Sequence, residues 1–452
     1  MASSIPRPPL PAGPWLVVGL ARSGVAAAEA LLARGERVYG TDSGNPAGAG
    51  RLAELGVELE LNGDGTDLLD SVNAVLKSPG VPNAAPAIKA ARAAGKQVIG
   101  ELELGWRLLP NRFVAITGTN GKTTVTEWLG HVWTEAGRPH VVAGNIGTPL
   151  AAQPGDLDPE ATVICECSSF QLEDSVAFAP EVAVLLNASP DHLDRHGSFE
   201  DYLDAKLRIF ANQPAGATAL IDVDDPGLAG LEVPGGSTRA GFGIDGCTEP
   251  DPCAVTVVGG NVADAEGPLL PAAEVALPGE HNLRNAMAVA AVALAAGIDR
   301  AAVSAGLRSF AGVPHRLERI AEIDGVAYVN DSKATNVAAA SAALTSFDSP
   351  VHAILGGSLK GGGFADLVPV VAERCAAAYL IGEAAQQLAA DLEPAGVPLI
   401  DCGELATAVT RAAAAAAPGE TVLLAPACAS FDAFRDYEER GDSFRALVGG
   451  LR

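Results

Sequence analysis

A short segment of glycines, a lysine and threonines combines the residue types that bind phosphate. An apolar run from Phe113 to Thr117 leads into Gly118-Thr-Asn-Gly121-Lys122-Thr123-Thr124, and helix-compatible residues follow from Val125 to Thr134. A strand, a tight loop and a helix in this order present backbone N–H groups and the positive end of a helix to an anion. In such a loop the lysine binds the outer phosphates and a threonine hydroxyl binds Mg²⁺. The sequence therefore predicts an ATP site, in a loop shorter than the common Walker pattern, at Gly118, Thr119, Asn120, Gly121, Lys122, Thr123 and Thr124.

Acidic and imidazole side chains follow two further apolar runs, where predicted strands end. Glu166 ends the run that begins at Thr162, and His192 comes shortly after the run from Val182 to Leu186. The carboxyl ends of parallel strands meet at one edge of a sheet, where oxygen ligands and an imidazole can gather around Mg²⁺. We therefore expect Glu166 and His192 to lie with Thr123 at a magnesium site.

A second glycine-rich turn lies near the start of the chain. Gly19-Leu-Ala21-Arg-Ser-Gly24 follows an apolar run and opens a predicted helix, and Asp42 ends the next strand. The turn nearly matches the dinucleotide fingerprint, but Ala21 replaces the middle glycine and crowds the place where a pyrophosphate approaches the backbone. An NAD-dependent oxidoreductase is therefore a weak alternative, and it leaves Lys122 and Glu166 unexplained. The start of the helix can still hold another nucleotide diphosphate.

Three α/β segments position these motifs. From Trp15 to Trp106 short apolar runs alternate with helical ones, which indicates βαβ units and a parallel sheet. A second segment opens at the phosphate loop, and a third, again doubly wound, begins near Val313. Residues 218–278 are rich in glycine and proline, and their elements are less easily assigned. We predict an α/β protein of three domains, with boundaries at 1–108, 109–312 and 313–452.

Length, charge and hydropathy limit the class of protein. The 452 residues are too many for a single core and suit roughly two to four domains. The net charge of −25 argues against a nucleic-acid partner, which requires a basic surface, but not against small anions in a local basic pocket. The N-terminus shows no signal-peptide pattern, and the longest apolar stretch, 286–297, is too short to span a bilayer. We therefore expect a cytoplasmic protein.

Taken together, the motifs resemble those of the Mur ligases of peptidoglycan synthesis and of related ligases that extend folate with glutamate. Two C-terminal segments, 330–336 and 426–434, are similar to the member of this family that adds D-glutamate. The resemblance implies a Rossmann-like N-terminal domain that binds UDP, a central P-loop ATPase-like domain and a Rossmann-like C-terminal domain. Its shared pieces cover nearly the whole chain: Gly118 to Thr124, the segment at Glu166, Asp191-His192, Lys206, Asn282 and Pro314-His315-Arg316.

The resemblance also assigns ligands to individual residues, although composition alone gives Lys206 no special role. Contacts to the UDP-muramoyl substrate are implied for Arg22, Ser23, Asp42, Ser43, Gly80, Asn145 and Ser168. Further ATP contacts are implied for Asn282, Asn285, Arg316 and Asp331. Two Mg²⁺ ions are implied beside Thr123, Glu166, His192 and Lys206, the last as a carbamate formed with CO₂. Contacts to D-glutamate are implied for Thr335, Lys360, Ser430, Phe431 and Tyr437.

Two positions depart from the family pattern. Tyr437 stands where phenylalanine is frequent, and Arg22 stands where a smaller aliphatic residue is frequent. Either change can alter ligand contacts without changing the reaction.

The activity implied by the resemblance is ATP-dependent amide synthesis in the formation of peptidoglycan precursors. The alanyl carboxylate of UDP-N-acetylmuramoyl-L-alanine is phosphorylated by ATP, and the amine of D-glutamate attacks the acyl phosphate. Lys122, His192 and Lys206 are implied as the catalytic residues, in a monomer that acts on small molecules.

Three other activities can be weighed against this one. A ligase that adds L-glutamate stays open, because sequence does not report stereochemistry. A folate-extending ligase is disfavoured by residues 330–336 and by the UDP-type N-terminal domain. An inactive ATP-binding partner is disfavoured because every metal and phosphate position carries a competent residue.

Overall fold

The computed structural model describes residues 3, 5–153, 155, 157–228, 230–246, 252–359 and 363–451, with Asp194 described by its backbone only. The chain divides into two compact units, Met1–Ala311 and Gly312–Arg452. The first unit contains two sheets and the second contains one. Among the described residues, no helix combines the length and the apolar character needed to cross a membrane.

The first sheet has five parallel strands in the order β3-β2-β1-β4-β5, which confirms the predicted doubly wound arrangement. The central strand, β1, is buried along its whole length because helices cover both faces of a parallel sheet. The strands are β1 (Trp15–Val18), β2 (Val38–Asp42), β3 (Glu58–Leu61), β4 (Ala74–Lys77) and β5 (Gln97–Gly100). The helices are α1 (Arg22–Ala33), α2 (Ala49–Glu54), α3 (Pro86–Ala93) and α4 (Glu101–Leu108).

The turn between β1 and α1 requires glycine at two places. Gly19 has φ +87°, in the left-handed region that favours glycine. At Gly24 a Cβ atom would lie 1.8 Å from the carbonyl oxygen of Gly19, so any side chain would push α1 away from the strand. The glycine pattern noted in the sequence is therefore a packing requirement of this turn.

The second sheet has nine strands in the order β14-β13-β12-β11-β10-β9-β6-β8-β7, parallel except for the hairpins that join β12, β13 and β14. Residues 218–278, which the sequence pattern left unassigned, form β10 to β14. The strands are β6 (Arg112–Thr117), β7 (His140–Gly144), β8 (Thr162–Glu166), β9 (Val182–Leu185), β10 (Thr218–Asp222), β11 (Thr238–Gly243), β12 (Cys253–Val258), β13 (Asn261–Asp264) and β14 (Gly267–Pro271). The helices are α5 (Lys122–Glu135), α6 (Ser169–Leu172), α7 (Leu193–His196), α8 (Phe199–Ala211), α9 (Glu280–Ala295) and α10 (Arg300–Ser309).

The second unit has a six-stranded sheet in the order β15-β16-β20-β17-β18-β19, parallel except for the β15–β16 hairpin. It is the second doubly wound unit predicted from the sequence. The strands are β15 (Glu318–Ile323), β16 (Val326–Asn330), β17 (Val351–Gly356), β18 (Cys375–Ile381), β19 (Leu399–Gly403) and β20 (Thr421–Leu424). The helices are α11 (Val337–Thr345), α12 (Val368–Arg374), α13 (Ala385–Leu392), α14 (Leu405–Ala415) and α15 (Tyr437–Gly449).

A buried carboxylate joins the two sheets of the first unit. Glu103, on α4, is fully buried and accepts the backbone N–H groups of Val176 at 3.0 Å, Ala177 at 3.1 Å and Phe178 at 2.9 Å. Arg107 donates its Nε–H to the same carboxylate at 2.7 Å. Since α4 follows β5 of the first sheet and the three amides lie just before β9 of the second, Glu103 fixes one layer on the other.

Replacing Glu103 by alanine is expected to lower the free energy of unfolding by about 3 kcal/mol, because buried N–H groups and Arg107 lose their acceptor. Chemical denaturation followed by tryptophan fluorescence measures this loss. Glu54→Ala, at an exposed position of α2, is the matched control and should change the same quantity by less than about 0.5 kcal/mol. Equal effects of the two substitutions would contradict a joining role for Glu103.

Candidate active site

The predicted phosphate loop connects β6 to α5, as the sequence indicates. Gly121 is the N-cap of α5 and has φ +78°, a conformation that favours glycine. A Cβ atom at Gly121 would lie 2.5 Å from Oδ1 of Asn285, which comes from α9. The loop is therefore tightly held, and the positive end of α5 begins at Lys122.

Two lysines converge on one carbonyl oxygen of this loop. Lys122 donates from Nζ to the oxygens of Gly118 at 2.9 Å and Thr119 at 2.8 Å. Lys206, a buried residue of α8, donates to the same Gly118 oxygen at 2.7 Å. Burial, and then the charge of Lys122, lower the pKa of Lys206 to about 7. At neutral pH a substantial fraction of the Lys206 side chain is therefore an uncharged amine.

Asn187, just after β9, forms hydrogen bonds with the backbone of the phosphate loop. Its Oδ1 accepts the N–H groups of Asn120 at 2.8 Å and Thr119 at 3.1 Å, and its Nδ2 donates to the Asn120 oxygen at 3.2 Å. The sequence analysis did not assign this residue to the site. Its position in the sequence could have indicated it, because Asn187 is a polar residue at the end of an apolar run, as Glu166 is.

Glu166 ends β8 with one carboxylate oxygen satisfied and the other free of hydrogen bonds. Its Oε1 accepts from Nδ2 of Asn145 at 2.8 Å. Its Oε2 is buried and has no hydrogen-bond partner within the described part of the chain. Such an oxygen is costly unless a cation satisfies it. Thr123, in the first turn of α5, is also buried, and its hydroxyl and the free oxygen have the donor chemistry that Mg²⁺ prefers.

His192 lies at the edge of this region in a strained conformation. Its φ is +51°, which is uncommon for a residue other than glycine. Its ring centroid lies 4.9 Å from that of Phe170, and its Nε2 lies 3.6 Å from Oδ2 of Asp191. Over the residues that the structure describes, no three His, Cys, Asp or Glu side chains form a metal-binding group. A ligand set of Glu166, His192 and Thr123 would therefore depend on substrate oxygens, as Mg²⁺ sites usually do.

A cavity of about 480 Å³ is lined by loops that follow strands of both sheets of the first unit. Gln171 and Ser78, which the sequence analysis did not assign, also line it. Ser168 does not; it caps α6 and accepts the N–H of Gln171 at 3.3 Å. The cavity brings together six of the seven residues predicted to contact the UDP-muramoyl substrate: Arg22, Ser23, Asp42, Ser43, Gly80 and Asn145.

Hydrogen bonds preset the first-sheet side of this cavity. Asp42 accepts the N–H of Leu20 at 2.7 Å through Oδ2 and that of Gly44 at 2.9 Å through Oδ1. Arg22 donates from Nη2 to the carbonyl oxygen of Gly147 at 2.8 Å, so it bridges the two sides of the cavity. Both carboxylate oxygens of Asp42 therefore bind backbone amides, one of them in the glycine turn, whereas Arg22 adds a positive charge at the start of α1.

Asn282 and Asn285 lie one helical turn apart at the start of α9. Asn285 donates from Nδ2 to Oδ1 of Asn282 at 3.3 Å, and Asn282 donates to the Pro278 oxygen at 2.8 Å. Since Asn285 also packs against Gly121, it lies beside the phosphate loop, and contact of this pair with ATP stays a prediction.

In the second unit, Asp331 follows β16 and is buried. Its Oδ1 accepts the N–H of Leu317 at 3.1 Å. Burial raises the pKa of Asp331 to about 6, although the Leu317 N–H and the charges of Arg316 and Lys333 oppose the shift. Asp331 and Arg316 thus influence each other electrostatically, and their contacts with ATP stay predictions.

Arg440 holds together the loops at the carboxyl edge of this second sheet. It is almost fully buried and donates to the carbonyl oxygens of Ser332 at 2.9 Å, Cys428 at 3.1 Å and Ala429 at 3.1 Å. Its Nε also donates to the Ser332 hydroxyl at 3.0 Å. The sequence analysis missed this residue, which connects the loop after β16 to the loop after β20.

The residues predicted to bind the amino acid differ in exposure. Ser430 is buried beside the Arg440-bound backbone, whereas Phe431 is 70% exposed. Tyr437 begins α15, and its carbonyl oxygen accepts from the Ser332 hydroxyl at 2.8 Å. Thr335 lies in the loop between β16 and α11. The remaining predicted residue, Lys360, lies outside the described residues.

Comparison with known proteins gives one family along the whole chain. Three family models match: the MurD-like N-terminal domain of Mur ligases at residues 14–100, the Mur ligase middle domain at 116–293, and the glutamate ligase domain of Mur ligases at 315–428. Curated relatives include UDP-N-acetylmuramoylalanine--D-glutamate ligase of Acidobacterium capsulatum, 41% identical over 96% of this chain and 95% of the relative. The protein of the same name from Frankia casuarinae is 44% identical over 96% of this chain and 93% of the relative.

Solved structures share the fold at low sequence identity. UDP-N-acetylmuramate-alanine ligase MurC of Thermotoga maritima matches with a TM-score of 0.57 and 18% identity over 97% of this chain and 100% of that one. MurF ligase of Thermotoga maritima, in complex with ADP, matches with a TM-score of 0.51 and 20% identity over 86% and 93%. At these identities the likeness shows the fold only.

Asn187→Ala is expected to increase the amide hydrogen exchange of Asn120 on the order of tenfold, the effect of losing roughly 1.4 kcal/mol of hydrogen bonding. The Thr119 amide, which also bonds to the backbone oxygen of Asn187 at 3.2 Å, should change less. NMR-detected exchange measures both, and Asn261→Ala, whose side chain donates to the Gly259 oxygen in the β12–β13 hairpin, is the control. Unchanged exchange at Asn120 would show that Asn187 does not support the loop.

Proposed function

The chain belongs to the Mur ligase family, and we propose that it joins D-glutamate to UDP-N-acetylmuramoyl-L-alanine at the expense of ATP, in peptidoglycan precursor synthesis. The observation that carries this proposal is one hydrogen bond. Asn145 lines the cavity that suits the UDP-linked substrate, and it donates to Glu166 beside the phosphate loop. The two ligands that must react would therefore lie on adjoining surfaces. The names of the relatives support the choice of D-glutamate.

Members of this family use ATP, and the phosphate loop is where this chain would hold it. The amides of Gly121 to Thr124, at the start of α5, would bind the phosphates, and Lys122 would neutralise charge on the transferred group. Asn282 and Asn285 would contact the nucleotide from α9, and Arg316 and Asp331 are further proposed ATP contacts. Phosphoryl transfer needs mainly positioning and charge neutralisation, which these residue types provide.

The residues around the loop fit Mg²⁺. Oε2 of Glu166, which has no hydrogen-bond partner among the described residues, and the Thr123 hydroxyl are oxygen donors on buried residues, and His192 and a modified Lys206 would complete the protein ligands for two ions. Bound there, Mg²⁺ supplies neutralisation of the phosphate oxygens.

Lys206 has the properties needed for carbamate formation. Only an unprotonated amine adds to CO₂, with loss of one proton, and the lowered pKa of about 7 supplies this form at neutral pH. The modification would replace a buried positive charge next to Lys122 with a negative one. That exchange relieves the repulsion between the two lysines and creates an oxygen ligand for a metal ion.

The proposed reaction proceeds in two displacements. An oxygen of the alanyl carboxylate attacks the γ-phosphorus, ADP leaves, and an acyl phosphate forms. The amine of D-glutamate, held by Thr335, Lys360, Ser430, Phe431 and Tyr437, then attacks the acyl carbon and inorganic phosphate leaves. Orientation of the reactants can lower such barriers by roughly 7–11 kcal/mol. Since ATP and nucleotide sugars are cytoplasmic metabolites, we propose that the reaction takes place in the cytoplasm. We also expect the protein to be a monomer.

The test of this proposal is phosphate release by the purified protein with ATP, Mg²⁺ and UDP-N-acetylmuramoyl-L-alanine. We expect release with D-glutamate and none above background with L-glutamate. Lys122→Ala should lower the rate by at least about 10²-fold, as for loss of one electrostatic contact to a developing charge. Lys89→Ala, at an exposed position of α3, is the control and should match the wild type. Release that depends on L-glutamate, or that needs no UDP substrate, would refute the proposal.

Lys206→Ala is expected to remove most activity and to regain part of it in millimolar formate or acetate, because a free carboxylate can stand in for the missing carbamate. The phosphate assay with and without these acids measures the rescue. Chloride at equal ionic strength and the Lys89→Ala protein are the controls. Full activity of Lys206→Ala without any acid would show that the lysine has no part in metal binding.

A further inference from the structure

Lys77 is a buried cation at the junction of the two sheets of the first unit. It is the last residue of β4 and is fully buried. Its Nζ forms an ion pair with Oδ2 of Asp174 and another with Oε1 of Glu173 at 3.0 Å. Both carboxylates follow α6, the helix that comes after Glu166 in the chain. One ammonium group of the first sheet is therefore bound by two carboxylates of the second.

Arg195 extends this group to the substrate cavity. Its Nη2 donates to Oε1 of Glu173 at 2.7 Å and to the carbonyl oxygen of Val81 at 3.1 Å. Val81 lines the cavity and belongs to the loop that directly follows Lys77. Arg92 adds a longer contact to Asp174 at 3.5 Å and is 46% exposed. We call these five residues the Lys77 cluster: Lys77, Arg92, Glu173, Asp174 and Arg195.

The same arginine is connected to His192 through the ring of Phe170. Its guanidinium carbon lies 4.0 Å from the ring centroid of Phe170, in α6. The Phe170 ring in turn lies 4.9 Å from the His192 ring. A continuous series of contacts thus runs from the cavity loop, through Glu173 and Arg195, to His192.

Stability alone does not explain the cluster. Apolar side chains of similar size are often as stable as a buried ion pair, because removing two charges from water is costly. Burial raises the pKa of Glu173, but Lys77 and Arg195 outweigh it and hold that pKa below its ordinary value. The Glu173 carboxyl group therefore stays charged at neutral pH. Paired charges, unlike apolar packing, define the direction and the distance between the elements that carry them.

We infer that Lys77, Glu173 and Arg195 are positioning residues, which fix the cavity of the UDP-linked substrate relative to the phosphate loop so that the acceptor carboxylate meets the transferred phosphate. This inference rests on the proposed function. A misplacement of about 1 Å can lower a rate on the order of 10²-fold while each ligand still binds. These three residues should therefore act on turnover more than on the binding of either ligand.

Arg195→Gln is the variant of choice, because Arg195 lies at the border of the cluster, with 17% of its side chain exposed, and its loss leaves Lys77 paired. We expect kcat to fall on the order of tenfold or more, with the KM for ATP and the calorimetric Kd for ADP unchanged within about twofold. Arg195→Lys, which keeps the charge opposite Glu173, should recover part of kcat. Arg92→Gln removes the longest contact of the cluster, together with the hydrogen bond from Arg92 to Oδ1 of Asn83 at 2.9 Å, and is the matched control, with kcat near that of the wild type.

A second measurement reports positioning without turnover. Spin labels attached through Lys89→Cys, on α3, and Glu200→Cys, on α8, lie at exposed positions on the two sides of the junction. Pulsed electron resonance should give a narrow distance distribution in the otherwise wild-type chain and a broader or shifted one with Arg195→Gln. Lys77→Met is expected to broaden it further if that protein folds.

The outcomes separate this inference from the proposed function. Failure of the wild type to ligate refutes the function, and the spin-label distances then still decide whether the cluster fixes the two layers. An active wild type with unchanged kcat in Arg195→Gln overturns the inference. So does a loss of kcat that is matched by an equal loss of ADP binding, because that pattern indicates general destabilisation.

Discussion

Two lysine side chains share one carbonyl oxygen, and the rest of the active site depends on that arrangement. Lys122 and Lys206 lie 2.9 and 2.7 Å from the oxygen of Gly118. Two ammonium groups this close, one of them buried, are unfavourable unless an anion lies near them or one of them loses its proton. The pKa of Lys206 near 7 is the direct consequence of its burial and of Lys122. The loop is thus suited to a polyanion before any particular ligand is considered, and Asn187 fixes its backbone by accepting the amides of Thr119 and Asn120.

A site for a polyanion becomes a ligase only when an acceptor carboxylate is delivered to it. The first unit achieves this by fixing two sheets against each other with groups that have defined geometry. Glu103 accepts a row of backbone amides, the Lys77 cluster pairs charges across the junction, and Asn145 connects the cavity to Glu166. Hydrophobic contact alone would allow the layers to slide, because it has no preferred direction. Polar contacts at the same junction fix a register, which is what a reaction between two bound substrates requires.

The features of the site that could be predicted are those encoded by residues close together in the sequence. Glycines before a lysine, and polar residues at the ends of apolar runs, predicted the phosphate loop and the place of Glu166. Lys77, the last residue of β4, could not be recognised as part of a buried cluster from the sequence. Its acidic partners lie 96 and 97 residues away in the chain, so no local pattern indicates them. Arg440 was missed for the same reason, since its acceptors are backbone oxygens that carry no sequence signal.

The overall charge and the local charge of this protein act in opposite directions on its ligands. A net charge of −25 repels ATP and a UDP-linked sugar at long range, but the Debye length of about 8 Å at physiological salt confines that repulsion to near the surface. Inside the site the relevant charges are Arg22 at the cavity and the two lysines at the loop, where the helix starts of α1 and α5 add to them. Removing water from these few cations strengthens their attraction for phosphate far more than distant carboxylates weaken it. Selectivity for anionic substrates is therefore a property of a few cationic positions at the site.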